Sequence, residues 1–295
     1  MSLFVKFWGV RGSIPTPGHA TARYGGNTPC IEVRTDRALL VCDGGSGLRE
    51  FGVDLMRRCG RAPINVHMFF SHPHWDHIQG FPFFTPAYLP TSTLHVYGPA
   101  KGDHTIHDLL SGQMQSSYFP VDFSQLGAKV FLSELMPEGT DVAGVKVRSK
   151  PLQHPGGSLG FSFEYEGSRV VYATDNELDL LLPEKPRAGA PSDAPRILPA
   201  PIVDFCRGAD LLVADGQYTD TEYPSKVGWG HPRATTLVDL AAQAGVKMLA
   251  VTHHDPMQSD HDVENKIADC VRRAAVLKAP VQIFSAREGV ELKLA

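Results

Sequence analysis

His72-Pro73-His74-Trp75-Asp76-His77 sets four metal-capable side chains within six residues, directly after the mostly apolar run Val66 to Phe70. That run reads as a buried strand, so the cluster falls where a strand ends, and α/β proteins build their sites there. Imidazole and carboxylate together suit zinc, manganese or iron. If the first residues stay extended, His72 and His74 share one face and Asp76 can join them. His77 breaks the alternation and should point elsewhere. One short loop can therefore feed two metals.

The pattern around the cluster is that of a soluble α/β protein. Strands are expected at Leu3 to Val10, Cys30 to Thr35, Ala38 to Cys42, Leu94 to Tyr97, Val145 to Ser149, Gly160 to Tyr165, Val170 to Ala173, Leu211 to Ala214 and Met248 to Thr252. Val281 to Phe284 and Gly289 to Leu294 read as closing strands. Helical spacing predicts helices over Leu48 to Cys59, Glu177 to Leu182, Ala234 to Ala244 and Asp262 to Leu277. Pro183 to Pro201 is rich in Pro and Ala and reads as a surface loop. The segment Phe81 to Glu138 is mixed in pattern, an insertion suited to a lid or a dimer contact, with a plain packed insertion the equal alternative. Both halves run strands and then helices, which predicts two sheets packed face to face with helices outside. The expectation is a single domain over residues 1–295: a four-layer αββα sandwich of the α/β (α+β) class.

Composition narrows the function classes. The chain has 295 residues, 42% hydrophobic and 20% charged, with net charge −4. No run of five Lys/Arg occurs, which speaks against a nonspecific nucleic-acid or membrane surface. The five cysteines are scattered without a Cys-x-x-Cys pair, as in a reducing compartment. Met1 to Phe7 reads as a strand rather than a secretory leader, and no apolar run approaches membrane-spanning length. A cytoplasmic location is expected.

Further metal-capable residues follow apolar runs downstream: His154 in Gln153-His154-Pro155-Gly156-Gly157, Asp175 after Val170 to Thr174, and His253-His254 after Met248 to Thr252. His72-x-His74-x-Asp76-His77 with these partners resembles the metallo-β-lactamase-fold hydrolases. The resemblance is closest to their phosphodiesterase branch, which includes tRNase Z and small cyclic-phosphate phosphodiesterases. Gly9-Val10-Arg11-Gly12-Ser13-Ile14-Pro15-Thr16, Tyr24-Gly25-Gly26-Asn27-Thr28 and Cys42-Asp43-Gly44-Gly45-Ser46-Gly47 are similar to that branch too.

The resemblance implies a metallo-β-lactamase fold and two divalent metals. His72, His74 and His154 would hold the first; Asp76, His77 and His253 would hold the second; Asp175 would bridge them. Asp43 would orient a ligand imidazole from behind. His253 and His254 compete for the last place, and alternation and motif position favour His253. In relatives with a redox di-iron centre, Glu replaces the second histidine of the cluster. His74 stands there, which favours zinc, with manganese the alternative. Metals so held lower the pKa of bound water toward neutrality, and a pair about 3.5–4 Å apart can clamp a phosphodiester while a bridging hydroxide attacks. Asp76 and His231 are the catalytic candidates. His231, in Gly228-Trp229-Gly230-His231-Pro232-Arg233, precedes a helix and would clamp phosphate or protonate the leaving oxygen.

His154 and Asp175 lie 21 positions apart. In tRNase Z enzymes that interval usually holds a long tRNA-gripping arm, and here there is no room for one. A small phosphodiester is therefore expected, a 3′,5′-cyclic nucleotide being the favoured case, with no long nucleic acid or membrane as partner and a homodimer possible. An RNA-processing nuclease, a lactone, thioester or carboxylic-ester hydrolase, and a non-catalytic metal-binding regulator are the alternatives. Arg11 reads as a structural ion pair more than a phosphate anchor. His104, His107 and His261 read as surface residues. Tyr118, Phe119 and Trp229 are candidates to stack a base, with packing the competing role.

Overall fold

The computed structural model describes residues 2–99, 105–133, 135, 139–183 and 194–294. The chain order begins β1 (Leu3–Gly9), β2 (Cys30–Arg34), β3 (Leu39–Cys42), α1 (Gly47–Cys59), β4 (Ile64–Phe69), α2 (Trp75–Ile78), β5 (Ser92–Tyr97), α3 (Ile106–Gly112) and β6 (Lys129–Ser133). It continues with β7 (Thr140–Val142), β8 (Val145–Leu152), β9 (Ser158–Tyr165), β10 (Ser168–Ala173), α4 (Ala200–Cys206), β11 (Leu211–Asp215), α5 (Ala234–Ala244), β12 (Met248–Thr252), α6 (Asp260–Leu277), β13 (Gln282–Ser285) and β14 (Glu291–Leu294).

Two seven-stranded sheets form, in the orders β14-β1-β2-β3-β4-β5-β6 and β13-β12-β11-β10-β9-β8-β7. Strand parity sorts the side chains into layers. In β10, Val170 and Tyr172 face the other sheet, while Val171 and Ala173 face the helices. In β4, Phe69 points inward, whereas Val66 and Met68 point out to α1 and α3. The inner core joins Phe7, Val33 and Phe69 to Phe161, Phe163 and Val213 across the sheets. Leu48, Phe51 and Leu55 of α1 cover one outer face; Leu237, Val238 and Ala241 of α5, with Ile202 of α4 and Cys270 of α6, cover the other. The arrangement is the expected four-layer αββα sandwich.

Several local expectations shift. Glu177 to Leu182 forms only a 3₁₀ turn, Leu178–Leu181. The Glu177 carboxylate is taken by the distant Gly228 and Gly230 amides and so does not cap a helix. The expected loop ends early, because Pro199 introduces α4 and Pro201 tolerates its first turn; residues 184–193 lie outside the described residues. The segment from Phe81 supplies β5, α3 and the edge strand β6. His104 lies outside the described residues, and His107 is half-buried with its ring edge-on to Phe123. No helix among the described residues is long and apolar enough to cross a membrane.

Candidate dinuclear metal centre

The sandwich brings many strand ends to one rim. β3, β4 and β5 run parallel in one sheet, and β10, β11 and β12 run parallel in the other. β8 points the same way as β10, because each is antiparallel to β9. Asp43 follows β3, His72 to His77 follow β4, His154 follows β8, Asp175 follows β10, Asp215 ends β11, and His253 follows β12. Of the histidines and aspartates among these, all except His74 are buried.

Asp175 lies at the middle. Its Oδ2 is 3.6 Å from both His72 Nε2 and His154 Nε2. Its Oδ1 is 3.2 Å from His77 Nε2 and 3.3 Å from His253 Nε2. His74 Nδ1 joins the first side, 3.1 Å from His154 Nε2. Asp76 Oδ2 joins the second, 3.2 Å from His253 Nε2 and 3.3 Å from His77 Nε2. His253 belongs to this cluster. His254 turns away, its Nε2 2.9 Å from Ser285 Oγ.

Four of the imidazoles are fixed from behind, so each presents Nε2 to the centre. His77 Nδ1–H donates to Asp43 Oδ2 at 2.8 Å, and Tyr172 OH donates to the same oxygen at 2.6 Å. Ser71 donates to Asp43 through both its amide and its hydroxyl, leaving its oxygen to accept from His72 Nδ1 at 3.0 Å. His154 Nδ1–H donates to Gly230 O at 3.0 Å, and His253 Nδ1–H donates to Gln217 Oε1 at 2.9 Å. The backbone is bent to suit. Asp43, Asp175 and His253 have φ of 59°, 57° and 56°, a left-handed conformation uncommon outside glycine and often found at functional sites. Glycines admit the rings: a Cβ on Gly12 would lie 2.4 Å from His253 Nδ1, and one on Gly230 would lie 2.2 Å from His154 Nδ1.

His231 stands beside this cluster, its Nδ1–H donating to Asp215 Oδ2 at 2.6 Å and lying 3.8 Å from Asp175 Oδ2. Burial opposes the charged imidazolium, but Asp215, joined by Asp175 and Asp76, outweighs it and lifts His231 to about 9. Glu177 anchors the loop that carries His231, accepting from the amides of Gly228 and Gly230 and from Tyr223 OH. Asp215, Gln217, Glu177 and Ser71 were not singled out in the sequence. Asp215 carries the same signal as Asp175, an acid closing a buried apolar strand; the other three are identified only by what they touch. Arg11 is buried and bonded to the carbonyls of Gly25 and Gln258, with Asp260 3.5 Å away, a structural role.

The donor chemistry fits divalent cations. Burial, then neighbouring histidines, keep His72 and His74 below the ordinary imidazole range, and burial does the same to His154, so lone pairs are available. Burial alone would raise Asp76 and Asp175. Adjacent histidines, His77 for Asp76 and His253 first for Asp175, instead hold both well below the carboxylate range, so they are anionic. Against its burial, Asp175, Asp76 and Asp43 in turn hold His77 above the imidazole range, a proton that a cation bound there would replace. His72 Nε2 and Asp175 Oδ1 are buried, yet neither meets hydrogen-bond geometry with any described residue. Such atoms are costly unless another partner satisfies them, and a cation between the donors would do so.

A four-layer sandwich with a buried His/Asp cluster at the joined rims of its sheets defines a metallo-β-lactamase-fold hydrolase. The chain belongs to the beta-lactamase superfamily: the profile of that superfamily's domain matches residues 43–254, from Asp43 through His254. It is 24% identical over 302 aligned positions to ribonuclease Z of Myxococcus xanthus strain DK1622, covering 91% of this chain and 93% of that protein. It is 23% identical to ribonuclease Z of Haloarcula marismortui, covering 86% of each. Among solved structures, unliganded yeast PDE1 superposes with a TM-score of 0.69 at 17% identity over 99% of both chains. A diphosphatase from the PhnP family gives 0.66 at 17% identity, over 99% of this chain and 98% of that one. At such identities the structures speak for the fold alone.

Proposed function

We propose that the protein is a phosphodiesterase that uses two divalent cations, zinc first and manganese second. His72, His74 and His154 would hold one, Asp76, His77 and His253 the other, with Asp175 between them. The observation that carries this is the division of Asp175, whose Oδ2 faces His72 and His154 while Oδ1 faces His77 and His253. Bound cations of this kind polarise a phosphoryl oxygen and activate water near neutral pH. Asp76 completes one donor set and is held in place by the Ser13 amide at 2.8 Å. Asp43 and Gln217 fix ring orientation. His231, steered by Asp215, faces the same cleft, where it can clamp a phosphoryl oxygen or, when protonated, deliver its Nε2 proton to the leaving oxygen.

A small substrate, a 3′,5′-cyclic nucleotide in the favoured case, is supported by two features. The cleft beside His74, Asp76, Asp175 and His231 has a volume of about 410 Å³. The interval from His154 to Asp175 is filled by β9, the short turn at Glu166-Gly167 and β10, with no arm. A second reading, cleavage of an RNA precursor, is favoured by the curated relatives named ribonuclease Z, which align along most of this chain. A metal-defined substrate panel tests both. It comprises 3′,5′- and 2′,3′-cyclic nucleotides, bis(p-nitrophenyl) phosphate, a lactone, a β-lactam and precursor tRNA. The proposal expects the highest kcat/KM on a small phosphodiester. Faster cleavage of precursor tRNA selects the second reading, and lactone turnover with inert phosphodiesters overturns both.

A further inference from the structure

Trp75 is inside the metal-binding hexapeptide and yet points out of it. Its neighbours His74 and Asp76 face the cluster, and its backbone is held in α2, where His74 O accepts from His77 N and Trp75 O accepts from Gln79 N. The indole remains 63% exposed and forms a wall of the cleft that Asp175 and His231 also line. A large aromatic residue that the chain leaves uncovered at a concave polar site is suited to cover a ligand. The other candidates for this role are less well placed. Trp229 already has the Lys226 ammonium 3.9 Å from its ring centroid, which occupies one of its faces. Phe119 packs edge-on against Phe83, and neither Phe119 nor Tyr118 lines the cleft.

We infer that Trp75 is the stacking platform for a nucleobase on the substrate, making a nucleoside phosphodiester the substrate class. This deepens the phosphodiesterase proposal and rests on it. The turn fixes the backbone that carries the ring, so the ordering cost of binding is confined to the indole's own two side-chain torsions. Every base has a flat face, so the platform selects for a base over no base rather than among bases.

Adenosine 5′-monophosphate and ribose 5-phosphate share the phosphate and pentose and differ by the base. Their dissociation constants are measured by calorimetry on the metal-loaded protein, as wild type, Trp75→Phe and Trp75→Leu. Stacking predicts about tenfold tighter binding of the nucleotide by wild type. That ratio should persist largely in Trp75→Phe and collapse toward one in Trp75→Leu. Because it is a ratio, a general loss of metal or fold in a variant does not mimic the result. A wild-type ratio near one, no binding of either compound, or an undiminished ratio in Trp75→Leu overturns the inference. Turnover of bis(p-nitrophenyl) phosphate on the same wild-type preparation reports separately on the phosphodiesterase proposal: hydrolysis without base preference sinks only the platform, and base preference without hydrolysis sinks only the activity.

Discussion

The donors on the two sides of Asp175 differ in charge. On one side stand three imidazoles, His72, His74 and His154, with the Ser71 hydroxyl behind the first and the Gly230 carbonyl behind the third. On the other stand two imidazoles and the Asp76 carboxylate, with the Asp43 carboxylate behind His77 and the neutral Gln217 amide behind His253. A carboxylate behind an imidazole makes the ring a stronger donor. On the proposed function, the carboxylate-backed side grips its cation more tightly, and the all-imidazole side leaves more positive charge for phosphate.

Replacing the shared residue should have the largest effect. Asp175→Ala removes the acceptor that faces both sides, so elemental analysis should find both ions depleted and turnover below detection. Two ions retained with full activity would break the comparison at its root. Next comes His231→Ala, which removes a ring stacked on His253 but takes no member from either donor set. It should keep both ions while kcat falls about 10²–10⁴-fold, the usual range for a lost acid–base group; unchanged kcat on a phosphodiester would remove His231 from the chemistry. Asp43→Asn and Gln217→Leu probe the charge difference behind His77 and His253. Losses of metal affinity near the two ends of the about 10–100-fold range for such partners are expected, with Asp43 the larger. Equal losses in a chelator competition would mean that the charge behind the ring does not matter here. His254→Ala, one residue beyond the cluster, should leave metal content and kcat alone. It should cost stability of about 1 kcal/mol for the lost Ser285 bond, read as a lower Tm.

The three long helices, α1, α5 and α6, and the central strands were legible because burial imposes a period, whereas the short α2, α3 and α4 were not expected. Ala234–Ala244 and Met248–Thr252 coincide with their expected bounds, each fully committed to one layer. β6 was not legible: as an edge strand exposed on parts of both faces it shows no clean alternation. The expected helix at Glu177 failed because its signal was local and the Glu177 carboxylate serves a loop some 50 residues away. The candidate donors could be picked out because each is a polar residue closing an apolar run. What stands behind them could not. Gln217 and Ser71 have ordinary local sequence, and their role exists only once β4, β11 and β12 share a rim.

Each donor set takes two residues from the segment after β4, the second pair already in α2, and one from the opposite sheet: His72 and His74 with His154, Asp76 and His77 with His253. Asp175, between them, comes from that opposite sheet as well. Bound cations would thus act as rivets through the seam of the sandwich, and the Tyr172–Asp43 bond crosses the same seam. By mass action, a ligand at a thousand times its Kd that binds only the folded state adds about 4.1 kcal/mol to its stability. The rim that performs the chemistry would then also be the clasp that keeps the two sheets from parting.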